Sequence, residues 1–143
     1  MTQVKYVLQT KGDATLTIDP AASVFDALKR MADHDIGSLL VMSKGKLVGL
    51  FTERDFARKV ADQGSAFVGS SVGEMMTEEV LYVTPDTTVE QCMALMTEKH
   101  TRHLPVLENN QVVGIVSIGD VLKKLIADKD VEIKQLERYI TGG

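Results

Sequence analysis

The sequence has little that would support disulfide bonding, membrane insertion or general nucleic-acid binding. Its 143 residues include one cysteine, three prolines and no tryptophan, and aromatic residues make up only 5%. Cys92 has no second cysteine to pair with, which excludes an internal disulfide and fits a reducing cytoplasm. We expect neither a signal peptide nor a membrane span, because no apolar run approaches roughly 20 residues. The net charge of −4 disfavours a nucleic-acid binder, since such proteins normally present a basic face.

The chain contains an internal duplication. The run from Gly49 to Phe56 (GLFTERDF) recurs from Gly114 to Val121 (GIVSIGDV), 65 positions further on (114 minus 49). The same offset relates Pro20 to Pro85, Val24 to Val89, Met31 to Met96, Val41 to Val106 and Val48 to Val113, without a gap. A duplication of fixed period predicts one fold unit used twice.

Each copy predicts the element order β-α-β-β-α. In the first copy the patterns indicate a strand over 14–18, a helix over 24–34, a hairpin over 38–42 and 47–51, and a helix that Thr52 caps and that ends near Ala61. In the second copy they indicate a strand over 81–83, a helix over 88–99, a hairpin over 104–107 and 112–116, and a helix over 118–127. We expect residues 1–13 to form a short helix or arm that packs onto the first copy.

The predicted fold class is α+β, with two tandem β-α-β-β-α repeats packed with pseudo-twofold symmetry. A repeat of about 60 residues cannot bury its sheet alone, so we expect a shared core and two equivalent clefts. The predicted boundaries are 7–62 for the first repeat, 63–74 for a linker, 75–127 for the second repeat and 128–143 for a C-terminal helix or tail. An apolar stripe in this tail is typical of a helix that packs on its own domain or a second subunit.

Each helix that follows a hairpin begins with a hydroxyl residue, and an acid follows three residues later. These pairs are Thr52 with Asp55 and Ser117 with Asp120. One interpretation is a helix N-cap with an acid in the first turn. The other is a ligand site, because a helix N-terminus attracts phosphate and a carboxylate accepts hydrogen bonds from both hydroxyls of a ribose. The recurrence at matching positions favours the ligand site.

The segment from Lys99 to Pro105 (KHTRHLP) places ionisable residues between a predicted core helix and a core strand. His100 and His103 suggest a metal site, but no cysteine cluster or third ligand accompanies them. A second interpretation is a phosphate clamp, with Arg102 as a bidentate donor and His103 as its partner. A third is a simple surface loop. The first repeat has the uncharged Ile36-Gly37-Ser38 at this place, so the two clefts should not be equivalent.

Sequence signatures of catalysis are missing. The chain has no Walker-type loop, no G-x-S-x-G motif and no H-E-x-x-H motif. Glu53, Asp55 and Asp120 lie at predicted helix starts rather than as an isolated carboxylate pair. Cys92 is typical of a small residue on a helix face rather than of a nucleophile. We therefore expect no enzymatic activity.

Together these motifs resemble the cystathionine-β-synthase (CBS) domain pair, or Bateman module. They are VGLFTERDF, VGIVSIGDV, the Met75-Met76-Thr77 run that enters the second repeat, and the run from His103 to Val106. The resemblance covers about residues 7–127. It implies a small stand-alone sensor of the bacterial type, without catalytic activity. Its expected ligand is an adenosyl compound bound between the repeats, most readily AMP, ATP or NAD, with ADP and S-adenosylmethionine as further candidates.

The resemblance also implies two sites, in which the acid of each T/S-x-x-D motif holds the ribose. One site joins Thr52, Arg54 and Asp55 to Leu81, Thr101, Arg102, His103 and Pro105. The other joins Ser117 and Asp120 to Leu16, Ile36, Gly37 and Ser38. Two departures weaken the expectation of phosphate binding in the second site: Gly119 replaces a frequent basic residue, and Leu40 stands where the other repeat has Pro105.

The expected partners are an adenine nucleotide, a second copy of the chain and an unidentified downstream protein, with no metal, nucleic acid or membrane. A different hypothesis is an assembly module whose clefts stay empty. A third is redox or metal sensing through Cys92 or through His100 and His103.

Overall fold

Six helices and five strands form within residues 2–11, 17–64 and 69–140, which are the residues that the computed structural model describes. The side chains at 131–133 and 136–140 lie outside that description. The elements are α1 (Val4–Lys11), β1 (Thr17–Ile18), α2 (Val24–His34), β2 (Ser38–Ser43), β3 (Lys46–Thr52), α3 (Glu53–Gln63), α4 (Val72–Met75), α5 (Val89–Lys99), β4 (His103–Glu108), β5 (Gln111–Ser117) and α6 (Ile118–Ile140). The predicted α+β class is confirmed.

The chain divides into two compact units. The first-repeat unit is Ala14–Leu81, and the second-repeat unit consists of Met1–Asp13 together with Tyr82–Gly143. Each unit has a buried apolar cluster of its own. Within the described ranges, no helix combines the length and the apolar character that crossing a membrane requires.

The first-repeat unit contains a three-stranded sheet of order β1-β2-β3, in which β1 runs parallel and β3 antiparallel to β2. Ser23 caps α2 by accepting a hydrogen bond from the Asp26 N–H at 3.0 Å. Apolar residues three and four positions apart place Val24, Ala27 and Met31 on the buried face of α2. They pack in one cluster with Leu39, Val41, Phe51, Val72 and Met75. The predicted helices and hairpin of this repeat are thus present.

The second-repeat unit contains the antiparallel pair β4-β5. The strand predicted over 81–83 is wrong, because only Val83 pairs, as an isolated parallel bridge to Val106. Its neighbours Leu81 and Tyr82 are 39% and 56% exposed. Pro85 has no N–H with which to extend the pairing. The second repeat therefore lacks a full counterpart of β1.

The two hairpins share one backbone conformation. Their turns consist of Lys44 and Gly45 in one and Asn109 and Asn110 in the other, and all four residues have positive φ, from 52° to 78°. Positive φ at both central residues is typical of a type I′ turn, whose twist matches that of the strands. The register shifts at matching places, between Val41 and Met42 in one hairpin and between Val106 and Leu107 in the other. The duplication seen in the sequence is therefore present in the backbone.

The N-terminal helix α1 packs against the second repeat, so the prediction that it packs onto the first repeat is wrong. The Val4 N–H donates to the Thr87 carbonyl at 2.7 Å, and the Lys5 N–H donates to the Pro85 carbonyl at 3.0 Å. Val4 and Val7 are buried in the apolar cluster of the second-repeat unit. The apolar face of α1 thus completes that core.

The final helix α6 runs without a break from Ile118 to Ile140, so the predicted helix end near Ala127 is wrong, while the helix predicted in the tail is present as its continuation. No glycine or proline interrupts residues 121–140, and the Lys124–Asp128 ion pair at 3.7 Å supports the helix at i,i+4 spacing. Most of the apolar stripe predicted in the tail falls on side chains outside the described residues.

Candidate functional site

In each repeat, the loop before the hairpin is hydrogen-bonded to the start of the helix after it. The Glu53 N–H donates to the Gly37 carbonyl at 3.1 Å, and the Ile118 N–H donates to the Arg102 carbonyl at 2.8 Å. The first residues of β2 and β4 pair with the last residues of β3 and β5. The loop, the hydroxyl residue and the acid of one repeat therefore lie at the same end of their unit.

Each of these loops begins with a residue whose backbone is in the left-handed helical conformation. Asp35 ends α2 and His100 ends α5, with φ of 52° and 55°. Next, the Ile36 N–H and the Thr101 N–H donate back to carbonyls in the last turns of these helices, at 3.0 and 3.1 Å. His100 therefore has a structural role as a helix C-cap. The sequence interpretations of the His100 segment did not include this role.

The first-repeat acid is held by two hydroxyl groups. The Thr52 hydroxyl accepts a hydrogen bond from the Asp55 N–H at 3.0 Å and so caps α3. The Thr77 hydroxyl donates to Asp55 Oδ2 at 3.2 Å. Asp55 is half-buried, and Arg54 beside it is exposed. No predicted site included Thr77, although the Met75-Met76-Thr77 run was part of the resemblance.

The second-repeat acid is held more tightly. The Ser117 hydroxyl accepts from the Asp120 N–H at 3.1 Å, and the Ser117 N–H donates to Asp120 Oδ2 at 2.9 Å. This reciprocal pair is a capping box. The Lys11 ammonium lies 2.8 Å from the same Oδ2 and also donates to the Ile115 carbonyl at 2.9 Å. Sequence reasoning missed Lys11. The 65-residue offset of the duplication aligns Lys11 with Met76, which is next to the residue, Thr77, that holds the acid of the first repeat.

Burial alone would raise the pKa of Asp120, but its hydrogen bonds from Lys11 and Ser117 and the Lys11 charge hold the pKa below the ordinary value of 3.8. A depressed pKa means that folding favours the carboxylate, so its stabilisation is present above pH 3.8 and is lost as pH falls through the folded-state pKa. We expect Asp120→Asn to lower the free energy of unfolding at pH 7 by about 1 kcal/mol.

Urea unfolding of both proteins at several pH values measures this difference. It should shrink towards zero at pH values below the folded-state pKa of Asp120, where the wild-type side chain is also neutral. Asp130→Asn, at an exposed position of the same helix, gives the effect of removing a surface carboxylate. An Asp120 difference that stays constant as the pH falls would contradict this electrostatic account.

The remaining predicted residues differ in exposure. Ser38 is 7% exposed, Pro105 is buried within β4, and Leu81 is 39% exposed. Ile36, Gly37, Thr101 and His103 are half-buried residues, whereas Arg102 is exposed. Leu16 lies outside the described residues. Arg102 therefore faces solvent, whereas Pro105 belongs to the buried part of β4.

Each unit brings together only its own part of the predicted sites. The first-repeat unit combines Ile36–Ser38 with Thr52 and Asp55, and the second-repeat unit combines Thr101–His103 with Ser117 and Asp120. The predicted groupings of Asp55 with Arg102 and of Asp120 with Gly37 join residues of different units. They stay predictions.

An open groove of about 650 Å³ lies in the second-repeat unit among α1, α5 and α6. It is lined by Thr2, Tyr6, Glu90, Lys124, Leu125, Asp128 and Lys129. Its charged residues include the Lys124–Asp128 pair, whose acid also accepts a hydrogen bond from the Thr2 hydroxyl at 2.9 Å. None of these residues belongs to a predicted site.

Among the described residues, no group of three or more histidine, cysteine, aspartate or glutamate side chains is arranged to hold a metal ion. His100 and His103 therefore have no third ligand of these types in that part of the chain. This geometry gives the metal-sensing hypothesis no support.

The thiol of Cys92 is fully buried in the second-repeat cluster. Burial raises its pKa from 9.0 to about 11, so roughly one thiol in a thousand is ionised at pH 8. We expect no reaction with Ellman's reagent in the native protein and stoichiometric reaction in urea. Rapid reaction of the native protein would instead revive the redox-sensing hypothesis.

Comparisons with known proteins agree with this architecture. The family model for the CBS domain matches residues 12–62 and 72–127. The chain is 38% identical to the mitochondrial CBS domain-containing protein CBSX3 of Arabidopsis thaliana, covering 99% of this chain and 73% of that protein. Among solved structures, the CBS domain protein NE2398 is 48% identical with a TM-score of 0.83, covering 87% of this chain and 98% of that one.

A further solved structure was obtained with ligands. The CBS domain pair of protein MJ0100, crystallised with 5′-methylthioadenosine and S-adenosyl-L-methionine, is 28% identical with a TM-score of 0.77. The alignment covers 90% of this chain and 98% of that one. Since the family model matches well over half of the sequence, in two consecutive copies, the chain belongs to the CBS domain family.

Proposed function

We propose that this protein is a regulatory module that binds an adenosyl ligand and catalyses no reaction. The observation that carries the proposal recurs in both repeats. At the start of the helix that follows each hairpin, an aspartate, Asp55 or Asp120, donates its N–H to the capping hydroxyl three residues earlier. A half-buried carboxylate one turn into a helix accepts hydrogen bonds from a vicinal diol, while the helix N-terminus favours phosphate.

The ligand class follows from the chemistry of this arrangement. AMP, ATP, NAD and S-adenosylmethionine share an adenosine whose ribose presents two adjacent hydroxyls. The relative crystallised with 5′-methylthioadenosine and S-adenosyl-L-methionine supports this class. We propose Thr52 and Asp55 as ribose-binding residues in the first repeat, and Ser117 and Asp120 in the second. Arg102 supplies the cation for a phosphate, which favours AMP, ATP or NAD.

Signalling requires a partner, because a binding module without a catalytic activity acts only through another molecule. The ligand would favour one conformation of the protein over another and so change the surface that is presented to the partner. We propose that the module works in the cytoplasm as a homodimer. Leu122 and Ile126 support the dimer, because they are 43% and 60% exposed one turn apart on α6.

Analysis of ligand that co-purifies with the protein tests this function. With three tyrosines and no tryptophan, the protein absorbs weakly at 280 nm, so bound adenine is conspicuous near 260 nm. We expect acid extracts to contain an adenosyl compound, which mass spectrometry identifies. The assembly-module alternative predicts clean extracts together with no stabilisation by added AMP, ATP, NAD or S-adenosylmethionine in thermal unfolding.

A further inference from the structure

The two ribose-binding acids of the proposed function are not equally available. Asp120 Oδ2 accepts hydrogen bonds from the Lys11 ammonium at 2.8 Å and from the Ser117 N–H at 2.9 Å. Asp55 Oδ2 accepts one from the neutral Thr77 hydroxyl at 3.2 Å. Both acceptors are carboxylates, but the Lys11 bond adds the attraction between two opposite charges and is the shorter of the two. The second-repeat carboxylate is therefore occupied from within the chain.

The residue that occupies Asp120 lies in α1, just before the first matched CBS domain, which begins at residue 12. Lys11 is the last residue of α1, and its ammonium is also tied to the Ile115 carbonyl, in the strand that leads to Ser117. The Lys11 and Asp120 side chains are 33% and 24% exposed, so the ion pair is partly screened from water. A pair of this kind is stronger than one on an open surface, yet it can still be broken by a competing ligand.

We propose that Lys11 is an internal competitor for the ribose at the second repeat. The proposal rests on the adenosyl-binding function above. Asp120 Oδ2 already accepts two hydrogen bonds, so a diol that places one hydroxyl on each carboxylate oxygen must displace the ammonium before it binds fully. The apparent affinity then equals the intrinsic affinity multiplied by the fraction of molecules in which the carboxylate is already released. The bond described at the first-repeat acid comes from the uncharged Thr77 hydroxyl rather than from an ammonium, so we expect this site to fill first.

Release of Lys11 also changes how α1 is held. The first turn of α1 is fixed by backbone hydrogen bonds of Val4 to Thr87 and of Val89 to Thr2, at 2.7 and 2.9 Å. Its last turn is held by Lys11 and by the packing of Leu8 against the apolar cluster of the second-repeat unit. Ligand binding at Asp120 thus loosens the last turn of α1.

Calorimetric titration with adenosine isolates the competition, because adenosine has the diol and carries no phosphate that a lysine would attract. The background is Asp55→Asn, in which the second-repeat site remains. We expect Lys11→Met in this background to bind adenosine about tenfold more tightly, equivalent to roughly 1.4 kcal/mol. The matched control is Thr77→Val in an Asp120→Asn background, where adenosine affinity should change less than twofold.

Unchanged or weaker adenosine binding in Lys11→Met, with binding intact in the Asp55→Asn parent, would overturn the competition while the proposed function stands. An equal gain from Thr77→Val would overturn it too, because a neutral partner would then compete as well. If neither the wild-type protein nor any variant binds adenosine, AMP, ATP, NAD or S-adenosylmethionine, the proposed function itself fails.

Hydrogen exchange gives a readout that leaves Lys11 in place. In the Asp55→Asn protein, saturating adenosine should speed amide exchange about fivefold at residues 8–11, where α1 loses its last-turn contact. Exchange over the first turn of α1 should stay unchanged. Slower exchange at residues 8–11 on adding adenosine would show that the ligand tightens α1 and would overturn the proposal.

Discussion

Replacing Asp55 by asparagine is expected to weaken the binding of AMP to the first-repeat site about 100-fold. The amide has nearly the same shape, but it has no charge and one acceptor oxygen instead of two. Each hydrogen bond to a charged group is worth about 1.5–3 kcal/mol, so losing one to two of them accounts for the change. Isothermal titration of both proteins measures it directly.

The control for this substitution is Asp62→Asn, which makes the same chemical change at an exposed position near the other end of α3. It should leave AMP affinity within twofold of the wild type. Asp55→Asn should keep the fold, because the Thr52 cap depends on the Asp55 backbone N–H and not on its carboxylate. Wild-type affinity in a folded Asp55→Asn protein would remove Asp55 from the site.

Replacing Gly49 by alanine is expected to destabilise the protein by about 3 kcal/mol. A Cβ there would collide with the Met76 sulfur and lie 3.0 Å from the Thr77 carbonyl oxygen. That carbonyl cannot move aside, because it accepts from the Leu50 N–H at 3.0 Å while the Thr77 N–H donates to the Leu50 carbonyl at 2.8 Å. The close approach of two backbones therefore requires glycine.

The duplication provides a matched comparison at Gly114. There the three atoms nearest to a Cβ all belong to the Leu8 side chain, with its two methyl carbons at 2.7 and 3.2 Å, and a flexible side chain can rotate away. We expect Gly114→Ala to cost about 1 kcal/mol, well below the cost at Gly49. Urea unfolding curves of the two variants test the difference. Equal losses, or a larger loss at Gly114, would contradict this account of the contact.

The sequence predicted the elements that depend on local interactions. Helix caps at Thr52 and Ser117 lie where the hydroxyl residues indicated, because each cap bonds to a backbone N–H three residues away. Both hairpins formed as expected, since their turns depend on two residues each. Because of the duplication, each local pattern occurs twice in the sequence. Two matching copies in register made the family recognisable.

Contacts between distant parts of the chain were not predictable in the same way. The bond between Lys11 and Asp120 joins residues 109 positions apart, and no pattern within α1 indicates which repeat it will cover. A lysine near the N-terminus looks like any solvated charge until the fold places it beside a carboxylate. The shortened strand at Val83 and the length of α6 likewise depend on how neighbouring segments pair and pack.

The measurement that tests the central claim most directly is isothermal titration of the stripped wild-type protein with AMP, ATP, NAD and S-adenosylmethionine. The account predicts selective binding of at least one of them, with a tight first phase that Asp55→Asn removes. A folded protein that gives no binding heat with any of the four, and no thermal stabilisation, would contradict an adenosyl-binding function.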